Sequence, residues 1–226
     1  MSQNLLKRLS TSIILLSLLL FINYSHQYIF AISILIVGLI ICLEAKKIFL
    51  KLLETKFFKK KISTKKFNFN FLILNLITFF YIFFIFCNFS YEIYKFKSPT
   101  FFLYIISICI FTDIGGYVFG KLIGGRTFSK ISPNKTIAGL CGSLFFSQFS
   151  CLIFVMNENF VFNNQIILKQ ILFSIIAIFG DLFFSFLKRK NSIKDYSNLF
   201  PGHGGLFDRI DGMIFVIISA KLLTYV

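Results

Sequence analysis

Acidic residues are scarce in this chain: nine Asp and Glu stand against 24 Lys and Arg, for a net charge of +15. Charge as a whole is thin, 15% of residues against 57% hydrophobic ones, and tryptophan is absent. So little charge excludes an ordinary soluble domain. The basic excess does not by itself imply nucleic acid. The cations cluster between apolar runs, where they set orientation and meet anionic lipid heads. An interleaved aromatic and basic pattern of the RNA-binding kind is missing, so no nucleic-acid partner is expected. Five cysteines, Cys42, Cys87, Cys109, Cys141 and Cys151, lie in or at the edges of apolar runs without metal-ligand spacing. That excludes a cysteine-built metal site, and disulfides are not expected.

What the chain has is apolar length. Runs over about 9–23, 28–43, 71–89, 100–120, 137–156, 166–187 and 210–226 approach the roughly 17–25 residues that cross a bilayer. The fold expected is all-α: a polytopic helical integral membrane protein with about seven transmembrane helices and a cytoplasm-facing polar site. Residues 1–70 read as an N-terminal helical hairpin with a basic cytoplasmic connector, and 71–226 as a C-terminal membrane catalytic region. The connector, from Glu44 to Asn70, is rich in lysine and reads as interfacial. The 34 phenylalanines reflect a general compositional bias and carry no functional weight.

Loop charge sets the orientation. With Lys7 and Arg8 inside, the strongly basic loops 44–70, 121–135 and 188–209 are also inside, and the weakly charged loops 24–27, 90–98 and 157–165 are outside. The positive-inside rule is satisfied throughout. The same orientation brings Asp113, Lys135, Asp181, Asp208 and Asp211 to the cytoplasmic half, which argues for one site open to the cytosol.

The densest polar segment is 181–212. Asp181 lies within an apolar run, near its end; Lys188, Arg189, Lys190 and Lys194 follow; then Pro201-Gly202-His203-Gly204-Gly205; then Asp208, Arg209 and Asp211 open the next run. Read singly, the cations are a cytoplasmic flank and the glycines a turn. The acids are harder to set aside, because a carboxylate in a membrane segment is costly unless paired or used. Cations with glycine-rich backbone suit phosphates. Clustered carboxylates suit a divalent cation that carries those phosphates. Upstream, Asp113 stands beside Gly115 and Gly116 inside an apolar run, which reads as close helix approach or a ligand contact. Ser132-Pro133-Asn134-Lys135-Thr136 reads as a helix start with a lysine near exposed amides, an anion site.

The run Ser185, Lys188, Arg189, Lys194, Asp195, Phe200, Pro201, Gly202, His203, Gly204, Gly205, Asp208, Arg209, Asp211 resembles the signature of the phosphatidate cytidylyltransferase (CDP-diacylglycerol synthase) family. Asp113, Tyr117, Gly120, Lys121 and Gly124, then Ser132, Pro133, Lys135, Thr136 and Gly139, then Gly180, Asp181, Leu182 and Ser185 resemble three further family segments. The resemblance covers roughly 100–226. Three positions depart from it: Ala138 and Phe184 stand where the family usually has glutamate, and Gly212 where it commonly has serine.

The resemblance implies transfer of the cytidylyl group of CTP to phosphatidate, giving CDP-diacylglycerol and pyrophosphate, at the bacterial inner membrane. It implies Mg2+, with K+ as a second ion, and a homodimer. Asp181, Asp208 and Asp211 are then the metal ligands and, with Lys188 and Arg189, the catalytic set. Lys194, Arg209, Gly202, His203, Gly204 and Gly205 fall to the triphosphate, Ser132 and Lys135 to a phosphate of either substrate, and Asp113 to a second cation or the cytidine. The alternatives are a CTP-dependent polyprenol or phytol kinase, which would release CDP, and a membrane transporter, which has no need of a glycine- and cation-rich segment on one face.

Overall fold

The computed structural model describes residues 3–54, 83–95, 98–127, 135–155, 164–190, 193, 195–197, 199 and 204–224. Among these residues there are seven helices: α1 Gln3–Tyr24, α2 Gln27–Glu54, α3 over 83–95, α4 Pro99–Leu122, α5 Ile137–Val155, α6 Asn164–Lys190 and α7 Phe207–Thr224. Three of them carry apolar stretches long enough to cross a membrane: Gln27–Ala45, Pro99–Leu122 and Asn164–Arg189. Shorter apolar helices cover Ser10–Tyr24 and Ile137–Cys151. The chain is an all-α polytopic membrane protein, because in lipid each helix satisfies its own backbone polar groups.

Helix ends follow local chemistry. Ser98 caps α4, its hydroxyl accepting the amide of Phe101 at 3.0 Å, and Pro99 takes a first-turn position where its missing N–H is not needed. The polar stretch expected as a loop over 90–98 is helical as far as 95. α2 likewise continues past its apolar run to Glu54, so the first part of the basic connector is helix. The start of the third span, from Phe71 to residue 82, lies outside the described residues, as do 55–70 of the connector.

The chain divides into two compact units, one of Met1–Tyr91 with Leu187–Ile210, the other of Glu92–Phe186 with Asp211–Val226. In the first, α2 and α3 meet at Gly38, where an added Cβ would lie 2.5 Å from Cys87 Sγ. In the second, α4 and α5 pack backbone to backbone. A Cβ on Gly115 would sit 2.4 Å from the carbonyl oxygen of Gly142, and one on Gly139 2.8 Å from that of Gly116. Small residues are the means of such approach in lipid, where no hydrophobic force drives helices together. A second close crossing joins α6 to α7 at Gly180 and Gly212, where a Cβ on Gly212 would lie 2.9 Å from the carbonyl oxygen of Ala177. That contact gives a steric reason for glycine at 212. Phe184, a second of the three departures, is 5% exposed and packs edge-on against Phe215.

Candidate active site

In the first unit the polar residues form a knot at the start of α7. Asp208, in the first turn, is its centre. Its Oδ1 accepts from Lys188 Nζ at 2.9 Å, and its Oδ2 accepts the amides of Tyr196 at 2.8 Å and Gly205 at 2.9 Å. The two side chains of the ion pair are only 11% and 6% exposed. An acid in the first turn also meets the positive end of the helix dipole. The Lys188 ammonium lies 5.1 Å from the centre of the Tyr196 ring, and Tyr196 packs on the buried Phe207. Gly204 turns the chain at φ +81°, where a side chain would be strained.

Glu44 completes the knot. It comes from the C-terminal half of α2 and is 5% exposed. Its Oε1 accepts from Ser197 Oγ at 2.5 Å and the amide of Leu206 at 3.2 Å, and its Oε2 accepts the amide of Phe207 at 2.7 Å. Sequence reading placed Glu44 in an interfacial connector. It is instead buried, and its partners satisfy the charge. The one sequence signal was an acid at the end of an apolar run. Arg189 and Arg209 are exposed, and so is Asp195.

In the second unit, Asp181 on α6 pairs with Lys135 through its Oδ2 and accepts from Ser185 Oγ at 3.3 Å through its Oδ1. Both members of the pair are partly exposed. Lys135 precedes α5, whose start is capped where Thr136 Oγ1 accepts the amide of Gly139 at 3.0 Å. Asp211, one turn into α7, is 6% exposed, with its Oδ1 on the amide of Gly212. Asp113 is exposed on α4, and both Asp113 and Asp211 act electrostatically on the Cys109 thiol. Ser132, Lys194, Gly202 and His203 lie outside the described residues.

A divalent cation is the group the sequence implies, and carboxylate oxygens are the donors it takes. Among the described residues, however, no three acidic, histidine or cysteine side chains gather as a ligand set. Asp181 and Asp208 each have both oxygens engaged, by a lysine and by hydroxyl or amide donors. In this arrangement the acids hold lysines. The amides of Gly205, Leu206 and Phe207, which would make a phosphate cradle, go to Asp208 and Glu44.

Helices of membrane-crossing length define a polytopic helical membrane protein, and two lysine–aspartate pairs lie among its described residues. The chain belongs to the cytidylyltransferase family, whose model matches residues 7–226. It is similar to the phosphatidate cytidylyltransferase of Helicobacter pylori strain J99, 34% identical over 136 residues, which cover 59% of this chain and 50% of that one. To the phosphatidate cytidylyltransferase of Staphylococcus aureus strain COL it is 39% identical over 123 residues, 54% of this chain and 47% of that one. The Staphylococcus haemolyticus protein of that name is 37% identical over a stretch of the same length. The chain spans about half the length of these curated relatives.

Proposed function

We propose that this chain transfers the cytidylyl group of CTP to phosphatidate, releasing pyrophosphate and leaving CDP-diacylglycerol in the membrane. The observation that carries this reading is the Lys188–Asp208 pair, a buried cation and acid fixed at the head of α7 inside the segment that bears the family signature. An oxygen of the lipid phosphate bonds to the α-phosphorus of CTP as the bond from that phosphorus to the bridging oxygen of the β-phosphate breaks. The attacking oxygen is anionic at neutral pH, so no strong general base is required. The protein's task is to neutralise charge and align the two phosphates. Lys188, with the exposed Arg189 and Arg209, is assigned to the triphosphate and the departing pyrophosphate. Lys135 is assigned, independently of Lys188, to a phosphate of either substrate.

Magnesium is proposed to reach the enzyme as the counter-ion of CTP and so as part of the substrate, since Asp181 and Asp208 already hold Lys135 and Lys188. The basic loops and the site face the cytoplasm, on the positive-inside argument. The protein works as a homodimer in a bacterial inner membrane.

The experiment uses purified chain in detergent with phosphatidate, magnesium and CTP labelled in both the cytosine and the γ-phosphate. Cytosine label in the lipid with labelled pyrophosphate released is the expected result. Transfer of the γ label to a lipid alcohol, with CDP as product, overturns it in favour of a kinase.

A further inference from the structure

We propose that Glu44 is a positioning residue for this reaction, setting the geometry of the Lys188–Asp208 pair from a helix outside the signature segment; this rests on the functional reading above. The amides of Gly205, Leu206 and Phe207 are consecutive. Asp208 takes the first and Glu44 takes the other two. The free amides of a helix N-terminus need acceptors, and an anionic acceptor there also gains from the dipole. Glu44 thus fixes where α7 begins. Through Ser197 it also holds the strand of chain whose Tyr196 amide binds Asp208. The orientation of Asp208, and with it the position of Lys188 Nζ, follows from both.

The glycine at 205 supports this assignment. A Cβ there would lie 2.6 Å from Glu44 Oε2, 2.8 Å from its Oε1 and 2.8 Å from Ser197 Oγ. The space that a side chain would fill is occupied by the Glu44 carboxylate. Glu44 stands 153 residues before Ser197 and 163 before Phe207. The first third of the chain therefore contributes to the site directly, beyond anchoring it. A buried carboxylate whose donors, among the described residues, are one hydroxyl and two amides is a structural anion, placed to orient backbone.

The test compares wild type, Glu44→Gln, Glu44→Asp, Ser197→Ala and the Glu44→Gln/Ser197→Ala double variant as full-length protein in detergent. Each is made with and without Leu199→Trp, which introduces a single tryptophan into a chain that has none, at an exposed position bonded to Ser197. Glutamine keeps the size but presents an N–H to an amide. A displacement near 1 Å costs about 100-fold, so Glu44→Gln is expected to lower kcat about 10- to 100-fold, with the KM for phosphatidate within about twofold. Aspartate, shorter by one methylene but still an acceptor, restores part of kcat. The double variant is no slower than Glu44→Gln, because the two side chains act through one contact. Tryptophan anisotropy falls in the Glu44→Gln background without substrate. Wild-type kcat in Glu44→Gln, additive losses in the double variant, or unchanged anisotropy overturns the proposal. If the unmutated chain transfers no cytidylyl group, the functional reading fails, and the anisotropy alone decides whether Glu44 orders this segment.

Discussion

Lys188 Nζ and Asp208 Oδ1 stand 2.9 Å apart, twenty residues from each other in the chain, with both side chains nearly closed to solvent. The lysine ends an apolar helix and the aspartate begins another. Their pairing turns two helix termini and the intervening chain into one unit. Removing one member of a buried pair is destabilising, at about 3–5 kcal/mol.

Asp208 does more than neutralise Lys188, since its other oxygen holds two amides. Asp208→Asn is expected to insert normally and lose turnover by at least about 100-fold, the scale of one lost electrostatic contact in a closed site. The exchange Lys188→Asp with Asp208→Lys restores the charge pair but presents no acceptor to the amides of Tyr196 and Gly205. It should therefore stay inactive. Turnover by the exchanged protein within tenfold of wild type would reduce Asp208 to a partner of Lys188. Lys188→Ala, which leaves the amides bound, is expected mainly to raise the KM for CTP.

The Lys135–Asp181 pair is more exposed than the first, so its loss should register in activity before stability. Lys135→Ala and Asp181→Asn are each expected to lower kcat/KM about 100-fold, on the same scale. Thr136→Ala instead removes the cap of α5, at about 1 kcal/mol. It should lower the melting temperature while leaving kcat within a few-fold. Equal effects of Lys135→Ala and Thr136→Ala on both quantities would make the lysine part of the helix start and not of the chemistry.

Helix positions were legible because apolar runs of bilayer length are bounded by polar breaks, but helix ends were not: α2 continues through a polar stretch to Glu54 and α3 reaches residue 95. Lys188 and Asp208 were legible as members of one segment. That they bind each other was not, because a twenty-residue separation carries no geometric period. Lys135 was legible as a helix-start lysine, but its pairing with Asp181, 46 residues on, was not. Glu44 was the hardest to see. Its partners are a hydroxyl and two backbone amides more than 150 residues away, and an amide has no letter in a sequence.

Gly142 offers a test of sign. Glycine to alanine inside a helix raises intrinsic propensity by about 1 kcal/mol. Here the added Cβ would fall 2.4 Å from Phe119 Cβ and 2.8 Å from the carbonyl oxygen of Gly115. Neither atom is the end of a flexible side chain, so α4 and α5 must separate, and overpacking of this kind costs about 1–3 kcal/mol. Gly142→Ala is expected to lower the melting temperature in detergent. A rise would mean that propensity wins and that the two helices do not meet at this point in solution.

Gln170 carries the last prediction. It is fully buried on α6, yet each polar atom of its amide is used. Oε1 accepts from Tyr104 Oη of α4 at 3.2 Å, and Nε2 donates to the carbonyl oxygen of Ser147 and, at 2.7 Å, to Ser150 Oγ of α5. One side chain thus ties three helices. Interhelical hydrogen bonds in membranes average only about 0.6 kcal/mol each, so the network's strength lies in having no unpaired member. Gln170→Leu removes the acceptor used by Tyr104 Oη, and one lost hydrogen bond costs about 0.5–1.5 kcal/mol. Tyr104→Phe removes the same bond from its other end. Tyr104→Phe should therefore cost less in the Gln170→Leu background than in the wild type, and the melting temperatures of the four proteins read the difference directly. If Tyr104→Phe costs the same in both backgrounds, the two side chains are not coupled, and glycine packing alone sets the register of α4, α5 and α6.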